Sequence, residues 1–305
     1  MPSNETLDDA QTAIDAEEQA AAELAALAAA AEADAAHEEK ALEGKVVTPG
    51  KKAPINKAKP KALIDLNSIT PVTKPRRPDD SFTFLIYGPP KVGKTLLAGT
   101  AADVPELGPV LLLALEDGSS VLAENYPDMD VIVLEDYPTA AKVIEAVCSG
   151  QTQYRTVIVD TFYELMCLNK EHITKGVRQL SQPEWGVVAD NAINTIKMMH
   201  RSPVNFIITA HSGRVKDDES GKVMTSPIFL GQKAGPEILK TVDVIAYYGI
   251  GKTESGESVR VLQITSDGKR DGGDRFGKLD EQIAYPTYAE IFSQLTAKKS
   301  SQLAA

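Results

Sequence analysis

The sequence predicts an α/β fold in which a mainly parallel sheet is flanked by helices on both faces. Three observations lead to this prediction. From Ser81 onward, short apolar runs alternate with longer helical stretches. These runs are continuously apolar, which is typical of strands that are buried on both faces of a parallel sheet. A glycine-containing segment, 88–95, also connects the first apolar run to the first helical stretch.

The individual elements are predicted in chain order from these runs. Strands are predicted over Thr83–Tyr87, Val110–Leu115, Val131–Leu134, Thr156–Val159 and Val204–Thr209. Helices are predicted over Lys94–Ala102, Thr139–Cys148 and roughly Trp185–His200. Two further apolar runs, Val242–Ile250 and Ser258–Thr265, flank a turn that contains glycine and predict a C-terminal β-hairpin.

The ends of the chain differ in composition from the middle. Residues 1–44 are rich in Ala and Glu and carry twelve acidic residues against Lys40 alone, a net charge equal to the −11 of the whole chain. With so few large apolar side chains, this acidic tail is predicted to be disordered or transiently helical. The Lys- and Pro-rich segment 45–80 predicts an extended basic linker. A folded domain is predicted over 81–292 and a flexible C-terminal tail over 293–305.

The composition also indicates a cellular location. The N-terminus is acidic and lacks the apolar segment of a secretory signal, and no run approaches the ~18 apolar residues of a membrane span. Cys148 and Cys167 lie in apolar surroundings without the spacing of metal ligands, which is typical of reduced thiols. We therefore expect a cytoplasmic protein without a membrane partner.

Segment 88–95 matches the phosphate-binding pattern G-x-x-x-x-G-K-T, since it consists of Gly88, Pro89, Pro90, Lys91, Val92, Gly93, Lys94 and Thr95. The two glycines permit backbone angles that a side chain would prevent, and the following helix N-terminus attracts phosphate. In this pattern Lys94 reaches the β and γ phosphate oxygens, and the Thr95 hydroxyl binds Mg²⁺. The prediction is a nucleotide site that uses ATP and Mg²⁺. The sequence has no guanine-specific Asn-Lys-x-Asp motif, which favours ATP over GTP.

Polar residues at the ends of three predicted strands complete this site. Asp160 follows an apolar strand and is the candidate Mg²⁺ ligand, with a plain helix cap as the alternative. Glu116 follows the strand after the loop's helix and is the candidate catalytic base, with Asp117 in reserve and an acidic turn as the alternative. His211 follows the strand over 204–209, where it faces the γ-phosphate or serves a structural role.

These landmarks occur in the order found in the RecA/RadA core. Over Ser81–Leu279 the chain resembles, more narrowly, the phage RecA-like P-loop ATPases of the Sak-type single-strand annealing group. The residues that carry this resemblance are Tyr87–Thr95, Val157–Asp160, Trp185-Gly186, Thr209-Ala210-His211 and Lys269–Gly277. It implies a RecA-like ATPase domain over 81–292 and an ATP-dependent role in phage recombination or annealing, in the host cytoplasm.

The resemblance also implies contacts with DNA and with neighbouring subunits. In RecA-like cores two loops face DNA, and the matching segments here are Lys170–Pro183 and Gly213–Gly235. Their candidate phosphate contacts are Lys175, Arg178, Arg214, Lys216, Lys222 and Lys233, with Phe229 as the aromatic candidate for base stacking. Solvated surface loops are the alternative. In a ring or filament, a cation of one subunit acts on the nucleotide of its neighbour. The candidates for this cation are Lys269, Arg270 and Arg275.

Two functions follow as hypotheses. The first is an oligomeric, Mg-dependent ATPase that binds single-stranded DNA and promotes annealing or recombination, with a single-strand-binding protein as a further partner candidate. The alternative is a nucleotide-gated adaptor or regulator, such as a helicase-loading or packaging accessory, that does not bind DNA directly. A motor that translocates on DNA is disfavoured because the sequence shows no separate helicase motifs.

Overall fold

A computed structural model of the chain describes residues 77, 80–116, 118–176, 178–216, 221, 223–252 and 255–297. The predicted acidic tail and nearly all of the predicted basic linker lie outside the described residues, as does the chain beyond 297. None of the described helices combines the length and the apolar character that crossing a membrane requires.

The described residues form ten strands and six α-helices. The strands are β1 (Thr83–Gly88), β2 (Val110–Ala114), β3 (Asp130–Val133), β4 (Thr156–Asp160), β5 (Asn205–Lys216), β6 (Val223–Pro227), β7 (Val244–Lys252), β8 (Ser258–Gln263), β9 (Gly273–Asp274) and β10 (Gln282–Ala284). The helices are α1 (Lys94–Gly99), α2 (Tyr137–Cys148), α3 (Phe162–Thr174), α4 (Gln182–Arg201), α5 (Ala234–Thr241) and α6 (Tyr288–Thr296).

The strands form one mixed sheet with the order β10-β8-β7-β1-β5-β4-β2-β3. The six strands from β7 to β3 pair in parallel, whereas β8 and β10 add an antiparallel edge. Strand β6 pairs with the far half of β5, and β9 pairs with β7. This is the mainly parallel, helix-flanked sheet of a RecA-like P-loop NTPase, so the predicted fold class is confirmed.

Both faces of the sheet are buried, which explains the continuously apolar strands. Successive side chains of a strand point to opposite faces. In β1, Leu85 and Tyr87 join the core beneath helices α2 to α5, and Phe84 and Ile86 join the core beneath α1 and α6. Every residue of β1 is buried.

Strand β5 lies between β1 and β4, so the strand that ends in Asp160 is not the immediate neighbour of the strand that leads into the phosphate loop. The register pairs Gly88 with His211 and Ala114 with Asp160. The carboxyl ends of β1, β2, β4 and the first half of β5 therefore meet at one edge of the sheet, where ligands of open α/β sheets bind.

The structure also differs from the predicted elements in several places. Helix α3, which the sequence prediction does not include, begins directly after β4, where the Thr161 side chain accepts a hydrogen bond from the Glu164 amide. Segment Gly213–Gly235, predicted as a loop, instead contains the end of β5, strand β6 and the start of α5. Helix α6 runs to Thr296, beyond the predicted domain end at 292, because Leu295 packs in the core.

Candidate nucleotide site

The phosphate loop is shaped by two glycines. A Cβ at Gly88 would lie 2.1 Å from the backbone oxygen of Tyr248 in β7, so only glycine allows this approach of the strands. Gly93 precedes α1 with a φ of 102°, and Lys91 also has a positive φ of 62°. The turn from β1 into α1 therefore depends on the left-handed backbone that the sequence pattern supplies.

Lys94 lies inside this loop and is only 6% exposed. Its ammonium group donates hydrogen bonds to the backbone oxygens of Gly88 at 3.1 Å and Pro89 at 3.0 Å. Burial lowers the pKa of Lys94, while the carboxylates of Asp160 and Glu116 act in the opposite direction. The loop thus holds a buried cation beside two acidic groups, an arrangement suited to phosphate oxygens.

Asp160 connects the loop to the middle of the sheet. The Thr95 hydroxyl donates a 2.7 Å hydrogen bond to Oδ2 of Asp160, and the buried Thr209 hydroxyl donates to Oδ1. Strand β5 supplies Thr209, so its insertion between β1 and β4 does not separate Asp160 from the loop. Gly118 leaves room beside this pair, because a Cβ there would lie 3.5 Å from Oδ2.

These oxygen atoms fit the Mg²⁺ that the loop pattern implies. Mg²⁺ prefers hydroxyl, carboxylate, phosphate and water oxygens and takes few ligands from the protein. Thr95 and Asp160 provide one hydroxyl and one carboxylate. Within the described residues, no group of three or more His, Cys, Asp or Glu side chains could hold a metal by itself.

Glu116 and His211 meet at the same edge of the sheet. Oε1 of Glu116 accepts a 2.7 Å hydrogen bond from the Thr161 hydroxyl and lies 3.0 Å from Nε2 of His211. Both side chains are about one-third exposed. The structure therefore brings together the predicted base, the predicted γ-phosphate contact and a third residue that orients the carboxylate. The reserve candidate, Asp117, lies outside the described residues.

Sequence reasoning missed two charged residues near this site. Arg260 in β8 donates from Nε to the backbone oxygen of Val92 at 3.1 Å, across 168 residues of chain. Glu164 in the first turn of α3 has its pKa raised by burial and then by the charge of Glu116. Sheet order brings Arg260 here, whereas Glu164 is placed by the cap of α3, which begins directly after Asp160.

The first predicted DNA segment is largely occupied by its own contacts. Lys175 ends α3 in a left-handed conformation with a φ of 54°. The Arg178 guanidinium binds both carboxylate oxygens of Glu184, the residue that forms the capping box of α4. This segment therefore contains the end of α3 and the capping box of α4, and Lys175 and Arg178 are exposed between the two helices.

The second predicted DNA segment is a β-hairpin formed by β5 and β6. Arg214 and Lys216 are exposed on it, and their side chains make no hydrogen bond or ion pair within the described part of the chain. Lys222 lies outside the described residues, and Lys233 pairs with Asp190 at 2.6 Å. Phe229, the candidate for base stacking, is only 8% exposed, because its ring packs against Phe162 in the core.

The three candidate trans-acting cations occupy different surroundings. Arg270 bonds to Gln263 and Asp267 and covers the ring of Tyr247 at 4.8 Å. Arg275 contacts the buried Asp243, whose carboxylate also accepts from the amide of Thr83 at the opposite end of β1. Lys269 is exposed, and its side chain makes no hydrogen bond or ion pair among the described residues.

The sequence matches a family model, and the chain is similar to solved structures. Residues 81–280 match the family model AAA_24, which is described as an AAA domain. Among solved structures the chain is similar to a KaiC-like protein from the hyperthermophilic archaeon Pyrococcus horikoshii, with 13% identity and a TM-score of 0.39 over 67% of this chain and 89% of that one. It is also similar to a type III secretion ATPase from pathogenic bacteria, with 14% identity and a TM-score of 0.37 over 57% and 51% of the two chains. The sequence matches none of the curated proteins compared with it.

Proposed function

The chain belongs to the family of AAA domains and is a nucleotide-binding P-loop ATPase with a RecA-like core, and from this premise we propose that ATP hydrolysis controls its binding of single-stranded DNA. The proposed role is annealing or recombination in phage DNA metabolism, carried out by an oligomer of identical subunits. The phage role and the oligomer rest on the resemblance to Sak-type ATPases.

The hydrolysis roles follow from the contacts at the sheet edge. Lys94 binds the β and γ phosphate oxygens when its ammonium group leaves the loop carbonyls. Glu116, oriented by the Thr161 hydroxyl at 2.7 Å, takes the proton of the attacking water. Thr95 and Asp160 would hold Mg²⁺, which would neutralise charge on the phosphate oxygens. Lys269, Arg270 and Arg275 stay the candidates to act on a neighbouring subunit's nucleotide.

A single contact carries the link between nucleotide and DNA, namely the 3.0 Å approach of His211 Nε2 to Glu116 Oε1. His211 lies in β5, and the same strand continues without a break through Arg214 to Lys216. A change in the position of His211 when γ-phosphate is present would therefore shift the two exposed cations of the hairpin. Exposed Lys and Arg side chains such as these, which pair with no acidic side chain among the described residues, suit the phosphates of a nucleic acid backbone.

Filter binding with a fluorescent single-stranded oligonucleotide tests this proposal. We expect tight binding at low salt with a slowly hydrolysed ATP analogue and weaker binding with ADP. The Lys94→Ala variant is the control, because it should lose the nucleotide dependence while keeping the fold. The proposal would be refuted if the wild type did not bind the oligonucleotide. It would also be refuted if binding were equally tight with the analogue, with ADP and without nucleotide.

A nucleotide-gated adaptor is the second candidate function, because apolar side chains are exposed on the same hairpin. Val215 in β5 is 47% exposed and Val223 in β6 is 60% exposed, and exposed aliphatic residues suit a protein partner. In that case the ATP analogue would change co-sedimentation with a partner protein, and no single-stranded DNA would be retained on the filter at any nucleotide state.

A further inference from the structure

A cavity of about 740 Å³ opens between the β5–β6 hairpin and helix α5, away from the nucleotide site. The apolar residues that line it include Met224 of β6, Leu239 of α5 and also Phe229. The volume lies within the range of about 300–1,000 Å³ that is typical of pockets for small ligands. The cavity is therefore large enough for a planar group of nucleoside size.

Charged groups of both signs also line this cavity. Arg214 and Lys216 contribute two exposed cations, while Asp271 contributes a carboxylate. The backbone at Asp271 is held in place, because its carbonyl accepts a 2.6 Å hydrogen bond from the Tyr87 hydroxyl. Cations at the mouth suit phosphates, and a carboxylate accepts hydrogen bonds from the exocyclic amino groups of bases.

An exposed tryptophan lies beside the cavity. Gly231, which lines the cavity, lies next to Trp185, since a Cβ at Gly231 would be in ordinary van der Waals contact with Cε3 of the indole at 3.6 Å. Trp185 is 37% exposed in the first turn of α4, and it is the single tryptophan of the chain. A partly exposed indole is a platform on which a nucleobase can stack.

We propose that this cavity and Trp185 form a site for two successive nucleotides of a single strand. Arg214 and Lys216 bind the backbone phosphates, and one base enters the cavity beside Met224 with its amino group toward Asp271. The other base stacks on Trp185. This inference rests on the proposed single-stranded DNA function and specifies the site and the mode of contact.

The same observations argue against a duplex as the occupant. Bases in a duplex are stacked on each other and paired, so neither this cavity nor an indole face can receive one without disruption of the helix. A purely phosphate-binding surface would need only the two cations. An unstacked base accounts for the apolar walls, the carboxylate and the indole together.

Fluorescence of the full-length protein tests the site directly, because every change in tryptophan emission reports on Trp185. Addition of a single-stranded oligonucleotide with the ATP analogue should quench this emission. By fluorescence anisotropy with a labelled oligonucleotide, Trp185→Ala should weaken binding about five- to a hundredfold, whereas Trp185→Phe should bind within about threefold of the wild type. Thermal unfolding of each variant checks that the fold is retained.

The two cations are tested through salt dependence. Each phosphate contact to a single strand contributes about 0.7 to the slope of log K against log salt concentration, so the double variant Arg214→Ala/Lys216→Ala should lower that slope by about 1.4. Arg201→Ala, at the exposed end of α4 and outside the cavity, is the matched control and should leave the slope unchanged.

The outcomes separate this inference from the proposed function. A wild type that does not bind single-stranded DNA would refute both. This site alone would be refuted if the wild type binds single-stranded DNA without a change in tryptophan emission, and if Trp185→Ala and the double variant bind with the same affinity and the same salt dependence as the wild type. If the double variant instead loses self-association in sedimentation velocity while DNA binding persists, the cavity is a subunit interface and the inference is wrong.

Discussion

Substitution of Glu116 by Gln tests the chemistry of the site most directly. The amide oxygen of Gln can still accept the hydrogen bond that the Thr161 hydroxyl donates to Glu116 at 2.7 Å. The variant therefore keeps the position of the side chain and loses only its negative charge and its ability to take a proton. Any fall in turnover then measures the base rather than a rearranged loop.

The expected magnitude follows from what a positioned base contributes. General base catalysis accounts for about 10²- to 10⁴-fold in rate, which corresponds to about 2.7–5.4 kcal/mol of activation free energy. We expect kcat for phosphate release to fall within this range. The Kd for ATP should be unchanged or lower, because a negative charge near the γ-phosphate has been removed.

Phosphate release under saturating ATP and equilibrium binding of a fluorescent ATP derivative are the two measurements. Glu145→Gln, an exposed position in α2, is the matched control for loss of one carboxylate and should behave like the wild type. Turnover by Glu116→Gln within tenfold of the wild type would show that Glu116 is not the base. If Asp117→Asn instead abolished turnover, the base would be the next residue along the chain.

Three further predictions concern stability. Tyr288→Phe should raise the free energy of unfolding in urea by about 1 kcal/mol, because the buried hydroxyl has no hydrogen-bond partner among the described residues, whereas Tyr87→Phe loses two such bonds and should cost about 1–2 kcal/mol. Gly88→Ala should cost about 3 kcal/mol or more through the 2.1 Å clash with the neighbouring strand, while Gly186→Ala, with open space in α4, should gain about 0.5–1 kcal/mol. Burial and then the charge of Glu116 raise the pKa of Glu164 above 4.5, so the folded chain binds more protons just above pH 4.5 and its stability falls as pH rises through that window. Glu164→Gln should therefore have a higher melting temperature than the wild type at pH 7 and the same one at pH 4; equal values at both would contradict the assignment.

The sequence predicts the fold class and the phosphate loop because both are encoded locally. The run Val157-Ile158-Val159 is fully buried, and a strand buried on both faces leaves no polar position in its pattern. Lys94 and Thr95 are adjacent to the glycine that shapes their loop. Local patterns of this kind require no knowledge of strand order.

The missed features depend on contacts between distant segments. Strand β6 is short and includes Thr225, Ser226 and Pro227, which give no strand pattern, and it forms only because β5 extends beyond the sheet edge to pair with it. Arg260 reaches Val92 only because β8 lies two strands from β1. Long-range pairing decides both features, and spacing along the chain contains no sign of it.

The place of β5 in the sheet gives the strongest reason to expect that nucleotide and hairpin are coupled. Asp160 accepts hydrogen bonds from Thr95 on the loop side and from Thr209 on β5, while Glu116 contacts His211 two residues further along β5. Thr209 and His211 point to the same face of the strand. Nucleotide that draws Glu116 away breaks its contact with His211 on the strand that carries Arg214, and nucleotide that draws Thr95 away releases one oxygen of the Asp160 carboxylate to which Thr209 of the same strand donates. An adaptor or a DNA-binding protein could use this linkage equally, so the partner is decided at the hairpin and its cavity rather than at the phosphate loop.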